Sequence, residues 1–214
     1  MNSGVARPQY PVNLVVDGRK CLVVGAGAVA ARKAAGLLAC GAEVTVVAPE
    51  AGEEILAWAA AGALRYDQRE YQSGEVAGYR LVVAATDVSG VNHLVFRDAE
   101  QAGVWVNTAD DPAACTFTLP SVVRRGPLTV AVSTGGQSPA LAAWLRRRLE
   151  SEVGDEYRVL LELLAAEREA IKADGRSTEH VDWHNALDSN MLELIKAGEI
   201  GKARERLQAC LSSS

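Results

Sequence analysis

Apolar residues in the first 110 positions come in short unbroken runs, each closed by glycine, proline or a polar turn. Cys21 to Val24 is such a run, and Glu43 to Val47, Arg80 to Ala85 and Val104 to Val106 repeat the type. Unbroken runs of this length suit strands buried on both faces, as in parallel sheets. Between them the apolar spacing becomes helical. Ala30 to Cys40 predicts a helix stopped by Gly41, Glu53 to Ala61 a second, and Val91 to Ala102 a third. Tyr10 to Val16 alternates enough for a short strand, Asp17-Gly18 signals a tight turn, and residues 1–9 read as a loose tail. Strands and helices in alternation predict an α/β fold with a doubly wound parallel sheet.

Beyond Pro112 the alternation stops. Thr116 to Leu119 and Leu128 to Ser133 predict two antiparallel strands, with Arg124-Arg125-Gly126-Pro127 between them. Ser138-Pro139 has the form of a helix start, serine as cap and proline in the first turn, and that helix is expected to run to Glu152. Three further helices are expected over Tyr157 to Ala173, Ala186 to Ala197 and Lys202 to Leu211. The expected organisation is a nucleotide-binding domain over 1–113, a small α+β segment over 114–150 and a helical domain over 151–214.

The most informative motif is Gly25-x-Gly27-x-x-Ala30, placed directly after the first buried strand and at the head of the following helix. In that position it is a dinucleotide fingerprint. Gly25 permits the tight turn, Gly27 lets a pyrophosphate approach the amides of Ala28 and Val29, and Ala30 lets helix and strand close up. An acid normally ends the second strand, about 20 residues on, to hold the ribose. Here Pro49 follows the strand and the first acid is Glu50. No Lys or Arg lies between Val44 and Leu64, which leaves a 2′-phosphate without a partner and favours NAD over NADP. Thr86 and Asp87 end another strand at the sheet edge where ligands bind, although helix capping explains them equally well.

Composition narrows the classes. The chain is 49% hydrophobic and 23% charged, which excludes a disordered chain. It has no apolar run near the ~20 residues of a membrane span and no apolar leader core at its start, so the cytoplasm is expected. A net charge of −5 and 5% aromatics argue against non-specific nucleic-acid binding. That charge is uneven. Pro112 to Leu149 contains no acid, yet holds Arg124, Arg125, Arg146, Arg147 and Arg148. Such a stretch suits an anionic ligand, since guanidinium pairs carboxylate in a fork; a solvated helix face explains at least one of Arg146 to Arg148. The four cysteines are scattered without a CxxC pair, so no metal site is expected, and His180 with His184 lacks a third ligand. Asp110 and Asp111 follow the Val104–Val106 strand at the cofactor edge, where a carboxylate can move a proton; an Asp-Pro turn is the structural alternative.

Taken together, Tyr10-Pro-Val, the stretch from Cys21 through Ala31-Arg32-Lys33, Val44 to Pro49, Ala84-Ala-Thr-Asp87, Asn107-x-x-Asp110-x-Pro112, Phe117-x-x-Pro120-Ser and Val130 to Pro139 resemble precorrin-2 dehydrogenase, the dehydrogenase module of sirohaem synthase. The resemblance implies a Rossmann-like NAD-binding domain, a dimerisation segment after Pro112 and a homodimer. It implies oxidation of precorrin-2, a reduced octacarboxylate tetrapyrrole, to sirohydrochlorin with hydride passing to NAD⁺. Asp110 matches the family's essential aspartate, while the family's cofactor loop positions correspond to Gly25 through Val29, Gly27 and Ala28 among them, and to Pro49 and Glu50; Thr86 and Asp87 remain cofactor candidates from their place at the sheet edge. Asn107, Arg124, Arg125, Ser133, Thr134, Ser138 and Arg146 are the candidates for contact with the tetrapyrrole. Some relatives carry a modifiable serine where this chain has Thr134. Some members also insert ferrous iron, which makes a bifunctional chelatase the alternative within enzymes. A non-catalytic NAD-sensing module is the alternative from another class, and it leaves the Asn107–Pro112 motif and the arginines unexplained.

Overall fold

The computed structural model describes residues 8–179, 181–187 and 190–212. The chain divides into two compact units, 1–119 and 120–214.

The first unit is a parallel sheet of five strands in the order β3-β2-β1-β4-β5. β1 is Lys20–Val24, β2 Glu43–Ala48, β3 Arg65–Gln68, β4 Leu81–Ala84 and β5 Trp105–Thr108. Helices α1 (Ala28–Leu38), α2 (Glu53–Ala60) and α3 (Ser89–Ala102) make the crossovers. One apolar layer packs α1 and α2 on the sheet through Ala30, Ala34, Val23, Val46 and Ile55. The other packs α3 through Leu22, Val24, Val82, Val95 and Ala99. Each fully buried Val or Leu contributes roughly 1.5–3 kcal/mol. Asp98 of α3 accepts from Tyr71 Oη at 2.7 Å, Gly74 N at 2.8 Å and Ser73 Oγ at 3.2 Å, which pins the β3–β4 connection. Burial opposes ionisation of Asp98, but those bonds outweigh it and hold its carboxyl below the usual range. Burial, then the bond to Asp98, pushes the Tyr71 phenol up.

In the second unit β6 (Ser121–Arg125) and β7 (Leu128–Val132) form an antiparallel hairpin backed by α4 (Pro139–Glu152). Ser138 Oγ caps α4 by accepting from Leu141 N at 3.1 Å, with Pro139 in the first turn. The rest is α5 (Glu156–Ala173), α6 (Trp183–Leu187), α7 (Met191–Lys196) and α8 (Ile200–Ser212), closed around Leu163, Met191, Ile195 and Leu207.

Several expectations need correction. Residues 10–16 form no strand; Tyr10, Val12 and Val15 are exposed, and their alternation has no neighbouring strand to pair with. Thr116–Leu119 is not a strand either. Cys115 makes an isolated bridge to Asn107, Thr116 N donates to Val106 O, and the true strand begins at Ser121. Arg124 and Arg125 therefore lie within β6, and the turn is Gly126-Pro127, with Gly126 at φ +58. β3 was not expected: Arg-Tyr-Asp-Gln is too polar to read as a strand. The single helix expected over Ala186–Ala197 is two, broken at Asn190 in the left-handed region. The first helix starts earlier than expected, at Ala28, and ends at Leu38. His180 lies outside the described residues, as do residues 1–7 of the tail.

Candidate dinucleotide and substrate site

In a doubly wound sheet the crevice opens where neighbouring strands run their crossovers in opposite directions. Here that point lies between β1 and β4. Three loops meet at this carboxyl edge, each stitched by its first amide to a neighbouring strand. Gly25 N donates to Val47 O at 2.9 Å, Ala85 N to Val24 O at 2.8 Å and Ala109 N to Ala84 O at 2.8 Å.

The two glycines of the turn do different work. Gly25 has φ +105, and a Cβ on it would collide with the Ala85 carbonyl. Gly27 has φ −78, which any residue adopts, and a Cβ on it would meet nothing within 4 Å. The space is open beside the first turn of α1, whose cap residue supplies no side-chain hydrogen bond. The first amides of a helix have no partner within it. A cleft of about 300 Å³ adjoins them, walled by Ala28, Ala31, Gly52 and Glu53. Unfilled room, free donors and the positive helix end fit a pyrophosphate. Ala30, fully buried, seats the helix on the sheet. A larger cleft of about 400 Å³ lies at the opposite edge, where the strands begin, with Arg80 and Trp105 among its walls.

Pro49 and Glu50 are exposed beyond β2. β3 brings unforeseen neighbours to them. Tyr66 Oη donates to Ala48 O at 3.0 Å, Gln68 Nε2 to Pro49 O at 3.3 Å, and Arg69 N to Ala48 O at 3.1 Å. Burial, then the charge of Glu50, pushes the Tyr66 phenol up. The Arg69 guanidinium is held by Glu75 at 2.6 Å and Asp67 at 3.4 Å, and Arg65 pairs with Asp67 at 2.7 Å. Arg69, the cation bonded at the end of β2, thus has carboxylate partners, so a 2′-phosphate there would have to displace an acid, and the donor set suits NAD.

Thr86 does not cap α3. Its Oγ1 meets Asn92 Oδ1 at 2.8 Å, while Asn92 Nδ2 donates to Thr86 O at 2.9 Å. The buried Asn92 thereby fixes the loop after β4 and leaves Asp87 exposed. Asn92 shares the buried face of α3 with Val95, Asp98 and Ala99.

Asp110 and Asp111 separate cleanly. Asp111 builds the turn, its Oδ1 accepting from Ala113 N at 3.1 Å and Ala114 N at 3.3 Å. His93 Nε2 lies 3.7 Å from its other oxygen. Asp110 is exposed, makes no side-chain hydrogen bond or ion pair among the described residues, and has φ +60. Left-handed backbone at a non-glycine residue costs about 1–3 kcal/mol and persists where the surroundings impose it. Behind it Cys115 Sγ accepts from Thr108 N at 3.2 Å and lies 3.2 Å from Asp111 O, tying the turn to β5. Burial raises the Cys115 thiol above its usual range. Asn107 donates from Nδ2 to Phe117 O at 3.1 Å, but its buried Oδ1 has no hydrogen-bond partner.

The arginine-rich stretch is less free than its sequence implies, because its acids stand just past Leu149. Arg125 donates to Glu150 O at 2.9 Å and lies 3.6 Å from Asp155. Arg146 pairs with Glu150 at 2.6 Å and Arg148 with Glu152 at 3.4 Å. Ser133 Oγ accepts from Gly135 N at 3.3 Å, and Thr134 Oγ1 from Ser138 N at 3.1 Å, shaping the loop before α4. Arg124 is exposed on β6 and Arg147 on α4. Among the described residues no group of three or more His, Cys, Asp or Glu is placed to hold a metal ion.

A glycine turn with open room at a helix start, facing the switch point of a parallel sheet, defines an α/β protein that binds a dinucleotide. Residues 12–121 match the putative NAD(P)-binding family, and residues 125–152 match the central region of sirohaem biosynthesis proteins. The chain is 42% identical over 206 residues to siroheme synthase of Nitrosococcus oceani, covering 95% of this chain and 44% of that one. It is 37% identical over 204 residues to siroheme synthase of Methylobacillus flagellatus, with 94% and 44% covered. It thus spans less than half the length of these curated relatives. The solved structure of SirC, a precorrin-2 dehydrogenase, superposes with a TM-score of 0.71 at 31% identity, covering 94% of this chain and 98% of that one. The chain belongs to the family of NAD(P)-binding sirohaem-biosynthesis proteins that includes SirC.

Proposed function

We propose that the chain dehydrogenates precorrin-2 to sirohydrochlorin with NAD⁺. One observation carries the reading: an unpaired, strained Asp110 on the same sheet edge as an unfilled glycine turn, in a chain that covers 98% of SirC. The reaction removes a hydride and a proton from the macrocycle. Bound NAD⁺ supplies the hydride acceptor. The chain's part is to hold both molecules at the switch point and to take the proton. Amides of Ala28 and Val29 hold the pyrophosphate, Pro49 and Glu50 bound the ribose, and Thr86, fixed by Asn92, lines the crevice between. Asp110, exposed and without a side-chain hydrogen bond or ion pair among the described residues, is the carboxylate that takes the departing proton.

Asp110→Ala is expected to keep its affinity for NAD⁺ and to lose about 10²–10⁴-fold in kcat. Oxidation at the native rate would remove Asp110 from the mechanism. Homodimerisation belongs to the same reading, supported by the half-exposed hairpin and by Leu141 and Trp144, both about half exposed on α4. Light scattering of the purified chain tests it. The candidate tetrapyrrole contacts Asn107, Arg124, Arg125, Ser133, Thr134, Ser138 and Arg146 also belong here, Asn107 being supported by its unsatisfied Oδ1. A cytoplasmic location belongs to the same proposal; no helix among the described residues is long and apolar enough to cross a membrane.

A further inference from the structure

Lys33 has no role in any step so far, yet α1 aims it at the reacting edge. Successive residues of a helix turn about 100°. Ala28 and Ala31 face the cleft beside α2, and Ala30 and Ala34 are buried on the sheet. Val29 and Lys33, one turn apart, therefore share the opposite flank. Val29 packs in the same apolar layer as Ala109 and Phe117, the residues that bracket the Asp110 turn. The ammonium is half-buried on that flank, with Asp110, Cys115 and its own neighbour Arg32 within electrostatic reach. Among the described residues it makes no hydrogen bond and no ion pair. Burial lowers its affinity for a proton, and the nearby acid and thiol restore only part of it. A half-buried cation without a hydrogen bond or ion pair among the described residues is open to an anion from outside the chain, and its partial desolvation strengthens that pairing. Asn107, whose Oδ1 is buried and unsatisfied, donates from Nδ2 to the Sγ of the same Cys115 at 3.5 Å.

We propose that Lys33 is a substrate-binding residue that takes one carboxylate of the tetrapyrrole and seats the macrocycle against Asp110. The proposal rests on the precorrin-2 reading above. A charge-assisted contact of this kind is worth about tenfold or more in affinity. The test uses Lys33→Met and Lys33→Arg in the full chain, with two readouts. In steady-state assays Lys33→Met is expected to raise KM for precorrin-2 about tenfold, with kcat changed far less and KM for NAD⁺ unmoved. Lys33→Arg is expected to recover most of the loss. The second readout is absorbance titration with uroporphyrin, a stable octacarboxylate that undergoes no reaction here, and its Kd is expected to rise about tenfold in Lys33→Met. Unchanged KM and Kd in Lys33→Met would overturn the proposal, as would an equal loss of NAD⁺ affinity, which would mark Lys33 as a support of the glycine turn. If the wild-type chain binds uroporphyrin but does not oxidise precorrin-2, the function reading falls, and the Kd ratio still decides the role of Lys33.

Discussion

The five-stranded sheet and the two-stranded hairpin put similar valine-rich segments under opposite constraints. Cys21 to Val24 of β1 are all buried, because helices cover both faces. β7 alternates half-buried and exposed positions, because α4 and α5 pack on the hairpin and leave the side of Thr129 and Ala131 open. The first unit buries only Asn92, Asp98, Asn107 and Thr108 among the polar side chains of its described residues, and the cofactor end of its site is made from backbone amides and turns at the strand ends. The second unit carries its polarity on side chains, and they have settled with one another: Arg146 with Glu150, Arg148 with Glu152, Arg158 with Glu162. A backbone-built site is sensitive to single atoms; a lattice of exposed ion pairs is not.

The sharpest break in that comparison lies at Gly25. Gly25→Ala places a methyl against the Ala85 carbonyl at φ +105, and about 3 kcal/mol or more of stability is expected to go. Gly27→Ala, two residues away, is expected to cost less than about 1 kcal/mol in folding, yet to weaken NAD⁺ binding at least tenfold by filling the phosphate's room. Urea unfolding and NAD⁺ titration of the two variants check the contrast; matching profiles would refute the division of labour.

Alkaline pH tests the fully covered sheet. Burial raises the Cys21 thiol from 9.0 to about 11, since its thiolate is excluded from the core. The unfolded chain loses that proton first, so the contribution is complete below pH 9 and fades as pH climbs through 11. Two units correspond to about 3 kcal/mol. The stability advantage of wild type over Cys21→Ala is expected to shrink by that order between pH 9 and 11. A constant gap in urea melts at the two pH values would contradict it.

Effects in the second unit are expected to be smaller. Ser138→Ala removes the α4 cap and should cost about 1 kcal/mol. Arg148→Ala breaks one exposed i,i+4 pair and a contact over the Trp144 ring, and should cost no more than about 0.5 kcal/mol. Thermal melts rank the two, and a reversed order would mean that the ion-pair lattice carries real stability.

Sequence pattern made the doubly buried elements legible, because nothing else explains apolar runs such as Cys21–Val24 broken by Gly25-x-Gly27. The Ser138-Pro139 start and the end at Glu152 were equally legible, since capping is local chemistry. β3 was hidden because an edge strand needs few apolar residues; with it went Tyr66, Gln68 and the pairing of Arg69. Thr116–Leu119 misled because β-branched residues also suit an extended crossing that pairs at a single bridge. In the site, Asp110 was legible by position, but its distinction from Asp111 depends on which carboxylate caps the Pro112 turn. The arginine stretch misled by its boundary, its acids lying one to six residues past Leu149.

The most direct measurement mixes the purified chain with precorrin-2 and NAD⁺ under anaerobic conditions and follows absorbance. Sirohydrochlorin and NADH are expected to appear in equal amounts, with a rate that collapses in Asp110→Ala; adding ferrous iron and sirohydrochlorin without NAD⁺ in a parallel run tests for chelation. Tight NAD⁺ binding with no change in the tetrapyrrole spectrum would contradict the enzyme reading and leave an NAD-sensing module in its place.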